Sequence, residues 1–256
     1  MSACTKNSSR WASSSLCAVY LMASIQTGAA GALMVGGGVI TSSDHRGAPL
    51  TVIARRCARQ MSLEWRLGDH GLVATEELVA DGTQWSRYTL IRKNLGVSFE
   101  AAREGDRVDV LIRHDDDRVF QRKRLIGMRK TVLVGPTLAV FLHENLTTLR
   151  HGTSLAFEFL VVDQSMILSL RARSMGYGTD GGIRVKVESA LPLMRPFVPT
   201  TVLSFSPDGR LTSLTGIVPL QGGTARQPTM LEASVLFGPE VTEPLKDECM
   251  VSRLAP

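Results

Sequence analysis

Over most of its length the chain alternates apolar and polar residues with a period of two, the spacing of strands that bury one face. One stretch breaks the alternation. From Thr137 to Arg150, Leu138, Phe141, Leu142, Leu146 and Leu149 recur at three- and four-residue intervals, which predicts an amphipathic helix. Gly135-Pro136 opens it, because proline suits a first helical turn whose N–H lacks a partner. His151-Gly152 closes it with a basic last turn and a glycine cap.

Two strands follow directly. Leu155, Phe157, Phe159 and Val161 alternate with Ala156, Glu158, Leu160 and Val162. Met166, Leu168 and Leu170 then alternate with Ile167, Ser169 and Arg171, across a three-residue loop at Asp163-Gln164-Ser165. Upstream, strands are predicted near 62–67, 72–79, 85–92, 96–103, 107–113 and 118–125. Their turns lie at Gly68–Gly71, Asp81-Gly82, Glu104–Asp106 and Asp115–Asp117. Downstream come a strand at 183–188, a hairpin about Pro207-Asp208-Gly209 and a strand at 230–237. Between them, Leu193, Met194, Phe197 and Val198 sit among Pro192, Pro196 and Pro199. That segment is too apolar for a solvated linker and too proline-rich for a central strand, which predicts a short helix or a lid. The whole predicts a mainly β (α+β) fold, a curved antiparallel sheet or half-barrel of roughly ten strands wrapped on one central amphipathic helix.

The 256 residues, 44% of them hydrophobic, are ample for a core, and residues 51–240 read as one domain without repeats. Residues 33–50, rich in Gly, Ser and Thr, read as a flexible lead-in, and 241–256 as a tail. At the N-terminus, Lys6 and Arg10 precede an apolar run from Leu16 to Ile25, and Ala30-Gly31-Ala32 offers a small-x-small cleavage site. Residues 1–32 therefore read as a signal peptide, which predicts a periplasmic or secreted protein. The competing reading is an uncleaved anchor facing the periplasm, since no charge occurs between Arg10 and Asp44.

Removing 1–32 deletes Lys6 and Arg10 and no acid, so a net charge of +5 falls to +3, and nucleic acid is not an expected partner. Cys57 and Cys249 would then be the only cysteines left, free to pair in an oxidising compartment or to remain thiols.

Chemical motifs are sparse. Gly176, Gly178 and Gly181 match G-x-G-x-x-G, but a strand follows where a dinucleotide site needs a helix. His143-Glu144 lacks the second histidine of a zinc-protease helix; Thr147 stands in that place. Ser154 lies in an incomplete nucleophile elbow whose order runs from helix to strand. Asp115–Asp117 reads as a solvated hairpin tip, with no glutamate at calcium-loop spacing. Arg118, Arg122, Lys123, Arg124, Arg129 and Lys130 read as a charged edge strand, or as a rim for an acidic partner or lipid headgroups.

The segments Val134–Leu138 (VGPTL), Phe157–Val161 (FEFLV) and Leu168–Arg173 (LSLRAR), with Leu72–Glu77 before them, resemble a group of uncharacterised secreted bacterial β-rich proteins. That resemblance covers about residues 70–250 and implies no activity, so no catalytic residue comes with it. The layout is also distantly similar to the lipoprotein-carrier half-barrels, whose curved sheet wraps a helix and shelters an acyl chain.

The function expected is that of a non-enzymatic cell-envelope protein holding a hydrophobic ligand or lipidated partner in a concave sheet. Leu138, Phe141, Leu142, Phe157, Phe159, Met166, Leu168 and Phe197 would line it. No cofactor or metal is expected. Partners would be a lipid or acyl chain, or an envelope protein, with membrane contact only through an uncleaved N-terminus. The alternatives are a scaffolding envelope protein with no ligand cavity and a hydrolase with dispersed catalytic residues. Close packing of Phe157, Phe159 and Met166 against Leu138 and Phe141 separates the first two.

Overall fold

The computed structural model describes residues 30–42, 46–68, 71–114, 119–127, 131–224, 227–239 and 241–244. Alternation becomes strand wherever it occurs. The first meander comprises β1 (Ala30–Ile40), β2 (Pro49–Cys57), β3 (Gln60–Leu67), β4 (Leu72–Asp81), β5 (Gln84–Arg92), β6 (Val97–Glu104), β7 (Arg107–His114) and β8 (Val119–Leu125). The second begins with β9 (Val132–Val134) and helices α1 (Thr137–Glu144) and α2 (Leu146–Arg150). It continues through β10 (Leu155–Val161), β11 (Met166–Tyr177), β12 (Ile183–Ser189), β13 (Thr201–Phe205), β14 (Leu211–Thr224), β15 (Gln227–Phe237) and β16 (Val241–Pro244).

Each meander pairs consecutive strands, and β1 against β15 joins the two into one sheet that runs from β8 to β9 without closing. Every pairing is antiparallel except β9 with β10, which is parallel. Instead of meeting β8, the β9 edge lies against β5, where the buried Trp85 indole N–H donates to the Val132 carbonyl at 2.7 Å. The sheet thus overlaps itself.

Two cores result. The larger gathers Trp65, Trp85, Tyr88, Leu90, Phe99 and Val110 of the first meander with Leu160, Val218 and Leu231 of the second. The smaller gathers Leu142, Leu146 and Leu149 of the helices with Phe157, Leu170, Ile183, Val185 and Leu203. β9 and β10 stand between them: Leu133 and Phe157 enter the smaller core, Val132, Val134 and Leu160 the larger. That explains why Leu155–Val162 is apolar on both faces. Outside, the register row Glu77, Thr89, Glu100, Leu111, Arg122 carries charge, the reverse of strands that cross a bilayer.

Several expectations are corrected. The sheet has sixteen strands among the described residues, not ten. The helix is not central: it breaks at Asn145 into α1 and α2 and serves the smaller core alone. The 33–50 stretch is no lead-in, because Leu33–Ile40 is most of β1 and Pro49–Leu50 opens β2. Glycine hid that strand from the alternation. A Cβ on Gly38 would stand 2.1 Å from the Ser234 carbonyl oxygen of β15, so the close approach excludes larger residues. Part of the 241–256 tail, Val241–Pro244, pairs with β1. Four residues, Val162–Ser165, join β10 to β11 through a single 3-10 turn, with Ser165 left-handed at φ 47°.

Candidate functional site

The eight residues expected to line a ligand chamber fall into unequal groups. Thr137 fixes the start of α1: its hydroxyl accepts from the Val134 N–H at 2.8 Å and donates to the Val134 carbonyl at 2.9 Å. From there Leu138, Phe141 and Leu142 pack into or against the smaller core. Leu142 is fully buried, Phe157 is buried, and the Phe141 and Phe157 rings meet at 5.1 Å and 54°. Leu138, Phe159 and Leu168 are half-buried against the same cluster. Met166, two residues along β11 from Leu168, is also half-buried. Phe197 does not join them and stands 76% exposed. A pocket beside Val140, lined also by Arg56, Met61 and Leu78, has about 20 Å³ of free space, room for one water.

The chemical motifs settle into structural roles. His143 Nδ1–H donates to the Gly209 carbonyl at 2.8 Å, which pins α1 to the β13–β14 hairpin. Ser154 is exposed before β10, and the Gly176–Gly181 motif forms the β11–β12 hairpin. Asp115–Asp117, Arg118, Arg129 and Lys130 lie outside the described residues. Arg122, Lys123 and Arg124 are exposed on β8, an edge strand, where Arg124 donates to Asp109 at 2.8 Å. Among the described residues, no three His, Cys, Asp or Glu gather closely enough to hold a metal ion, and no helix is long and apolar enough to cross a membrane. Cys57 is disulfide-bonded; Cys249, the candidate partner the sequence offers, lies outside the described residues.

Inside the larger core the structure buries charge that the alternation did not announce. Glu76 accepts from the Trp65 indole at 2.8 Å and from the Tyr88 hydroxyl at 2.5 Å. Burial pushes the Glu76 carboxyl up, against the opposing pull of those donors and of Arg92. Burial first, and the neighbouring Glu76 second, hold the Tyr88 hydroxyl well above its usual range. Arg92, 2% exposed, donates to Asp163 at 2.9 Å and to the Pro219 carbonyl at 3.0 Å, with Phe99 beneath its guanidinium at 5.1 Å. Both clusters are enclosed, and they act as braces.

A further concentration of charge gathers partly exposed cations around the buried Glu188. On the face of β11 and β12 opposite the helices, Glu188 meets Arg171 and Lys186 at 2.8 Å, Arg173 at 3.5 Å and Arg195 at 4.0 Å. Hydrogen bonds from Lys186 and Arg171 pull the Glu188 carboxyl down to about 2. The sequence showed the polar faces of these strands. Only the register, which sets Arg171 opposite Glu188 and Arg173 opposite Lys186, makes them one cluster. Next to it, the β12–β13 connection forms a 3-10 turn at Pro192–Met194. Its exposed side chains do not close over the sheet as a lid would: Leu191, Leu193, Met194 and Phe197 face solvent, and of the apolar residues expected there Val198 packs against the smaller core.

No family model matches the chain, and no curated protein matches it. A solved structure titled "Beta-barrel-like Protein of Domain of Unknown Function DUF1849", from Brucella abortus, superposes with a TM-score of 0.46 at 7% identity. The match covers 84% of this chain and 98% of that one.

Proposed function

We propose that this chain is a non-enzymatic scaffolding protein of the cell envelope, whose interior is filled by its own side chains and whose surface carries its interactions. The observation that carries the reading is the contact of Phe141 with Phe157, behind which Leu142 is fully buried. A chamber for an acyl chain would need those rings apart. The disulfide at Cys57 supports an oxidising compartment, as does the signal-like layout of residues 1–32. Cleavage after Ala32 would leave Gly36–Ile40, the part of β1 that pairs with β15.

A second reading rests on the half-exposed strip of Phe159, Leu168 and Met166 at the border of the smaller core. That strip is the apolar surface a lipid or a lipidated partner would meet in this reading. Titrating delipidated protein with a fluorescent fatty acid separates the two. The scaffold reading expects no saturable uptake. Stoichiometric uptake that Leu168→Asp abolishes replaces it with the carrier reading.

A further inference from the structure

We infer that the turn between β12 and β13 docks the protein onto an anionic lipid surface. This goes beyond the scaffold reading and does not depend on what the interior holds. Within seven residues, Leu191 is 56% exposed, Leu193 88%, Met194 36% and Phe197 76%. Connections at a protein surface are ordinarily polar, and four large apolar side chains so close together mark an interaction site. They are held in place. The N–H groups of Met194, Arg195, Phe197 and Val198 donate back to Leu191, Pro192, Met194 and Met194, and Val198 packs against the smaller core. Pro192, Pro196 and Pro199 stiffen the same stretch. The apolar tips are thus presented without an ordering step on binding.

The charge beneath them selects the partner. Arg171, Arg173, Lys186 and Arg195 surround one carboxylate, and their side chains remain 33%, 50%, 25% and 41% exposed. Glu158, on the same face as Arg171 in the β10–β11 register, is the nearest second acid in that register, and the cations still outnumber the acids. Arg195 belongs to the turn itself and reaches Glu188 at 4.0 Å, so the apolar tips and the basic collar form one surface. Apolar tips above a ring of cations match a bilayer boundary, where Leu and Phe enter the acyl region and Arg and Lys meet headgroup phosphates. Side chains this exposed also suit lipid, whose fluid surface closes around them, better than a protein partner, which needs a matching pocket.

The test is cosedimentation of the purified protein with phosphatidylcholine vesicles, with and without roughly a third phosphatidylglycerol. Binding is expected to the anionic vesicles, weakening as salt rises. The paired change Leu193→Ser and Phe197→Ser should weaken it about tenfold or more, with the unfolding temperature unchanged because both side chains are exposed. Arg173→Glu should weaken it on anionic vesicles alone. In a Phe197→Trp variant, the new indole should be quenched by brominated lipid. Equal binding to neutral and anionic vesicles, binding that survives the paired change, or capture of polyglutamate without capture of vesicles would each overturn the inference. The fatty-acid titration, read against Leu168→Asp, reports on the Phe159, Leu168 and Met166 strip and can fail or succeed independently.

Discussion

At the level of single residues, two carboxylates with opposite surroundings make opposite pH predictions. Glu188 is held at about 2 against an ordinary value of 4.5. The folded state therefore favours its ionised form. The stability it adds is fully present above pH 4.5 and is lost as pH falls toward 2. Glu188→Gln should flatten the acid limb of an unfolding-temperature profile. A profile superimposable on the wild type would show that the four cations gain nothing from this carboxylate. Glu76 runs the other way, because burial raises it and the folded state resists its ionisation. Its contribution is complete below pH 4.5 and declines as pH rises through the raised value, so Glu76→Gln should gain on the wild type toward neutral pH. Glu76→Leu instead strips the acceptor from Trp65 and Tyr88, and urea unfolding should show a loss of about 1–3 kcal/mol for each buried donor left unpaired. The Glu76 site was not readable from the sequence. Glu76 occupies an inward position, but its partners lie eleven and twelve residues away on neighbouring strands. Gly135 belongs to the same site. At φ +44°, a Cβ there would stand 2.6 Å from the Tyr88 ring and 2.8 Å from Glu76.

Among the elements, strands with one buried and one wet face were the most legible. The hairpins at Asp81-Gly82, Glu104–Asp106 and Pro207–Gly209 fall between the strands the alternation anticipated. β1 was not legible, because Gly36, Gly37 and Gly38 present no apolar side chain to alternate. β2 was obscured by Arg55 and Arg56 near its end, where Arg55 is ion-paired with Glu64 at 2.6 Å. The helix was legible in its apolar stripe but not in its break. Asn145 leaves the helical conformation at φ −109° and ψ 14°, and its amide donates to the Phe141 carbonyl at 2.8 Å. Both pieces keep their leucines on the smaller core, so the stripe survives the break. Leu142→Ala and Leu149→Ala, each emptying a fully buried site, should cost about 2–5 kcal/mol in denaturant unfolding. Leu193→Ala on the exposed turn should cost almost nothing. A similar cost at all three positions would mean that the turn is packed in solution.

For the molecule as a whole, the question is what keeps an unclosed sheet curled. Strand pairing alone does not do it, since β8 and β9 are free ends of the order. Buried polar ties span the interior. Arg92 on β5 reaches across to the Pro219 carbonyl of β14 and to Asp163 in the turn after β10, and Gln221 donates to the same carboxylate at 3.2 Å. These partners lie 71 and 127 residues from Arg92, which is why no local pattern announced them. With side chains 2% and 8% exposed, the pair sits where losing one partner strands a charge. Arg92→Met or Asp163→Leu alone should therefore cost about 3–5 kcal/mol. The double variant should cost clearly less than the sum, since it removes both charges together. A coupling of about 0.5–3 kcal/mol in the double-mutant cycle is expected. If the tie holds the overlap, hydrogen exchange in either single variant should quicken first at β9 and β10, which lie inside the curl, and spare the β6–β7 hairpin. Additive costs, or faster exchange spread evenly over the sheet, would place the curl in the apolar core instead.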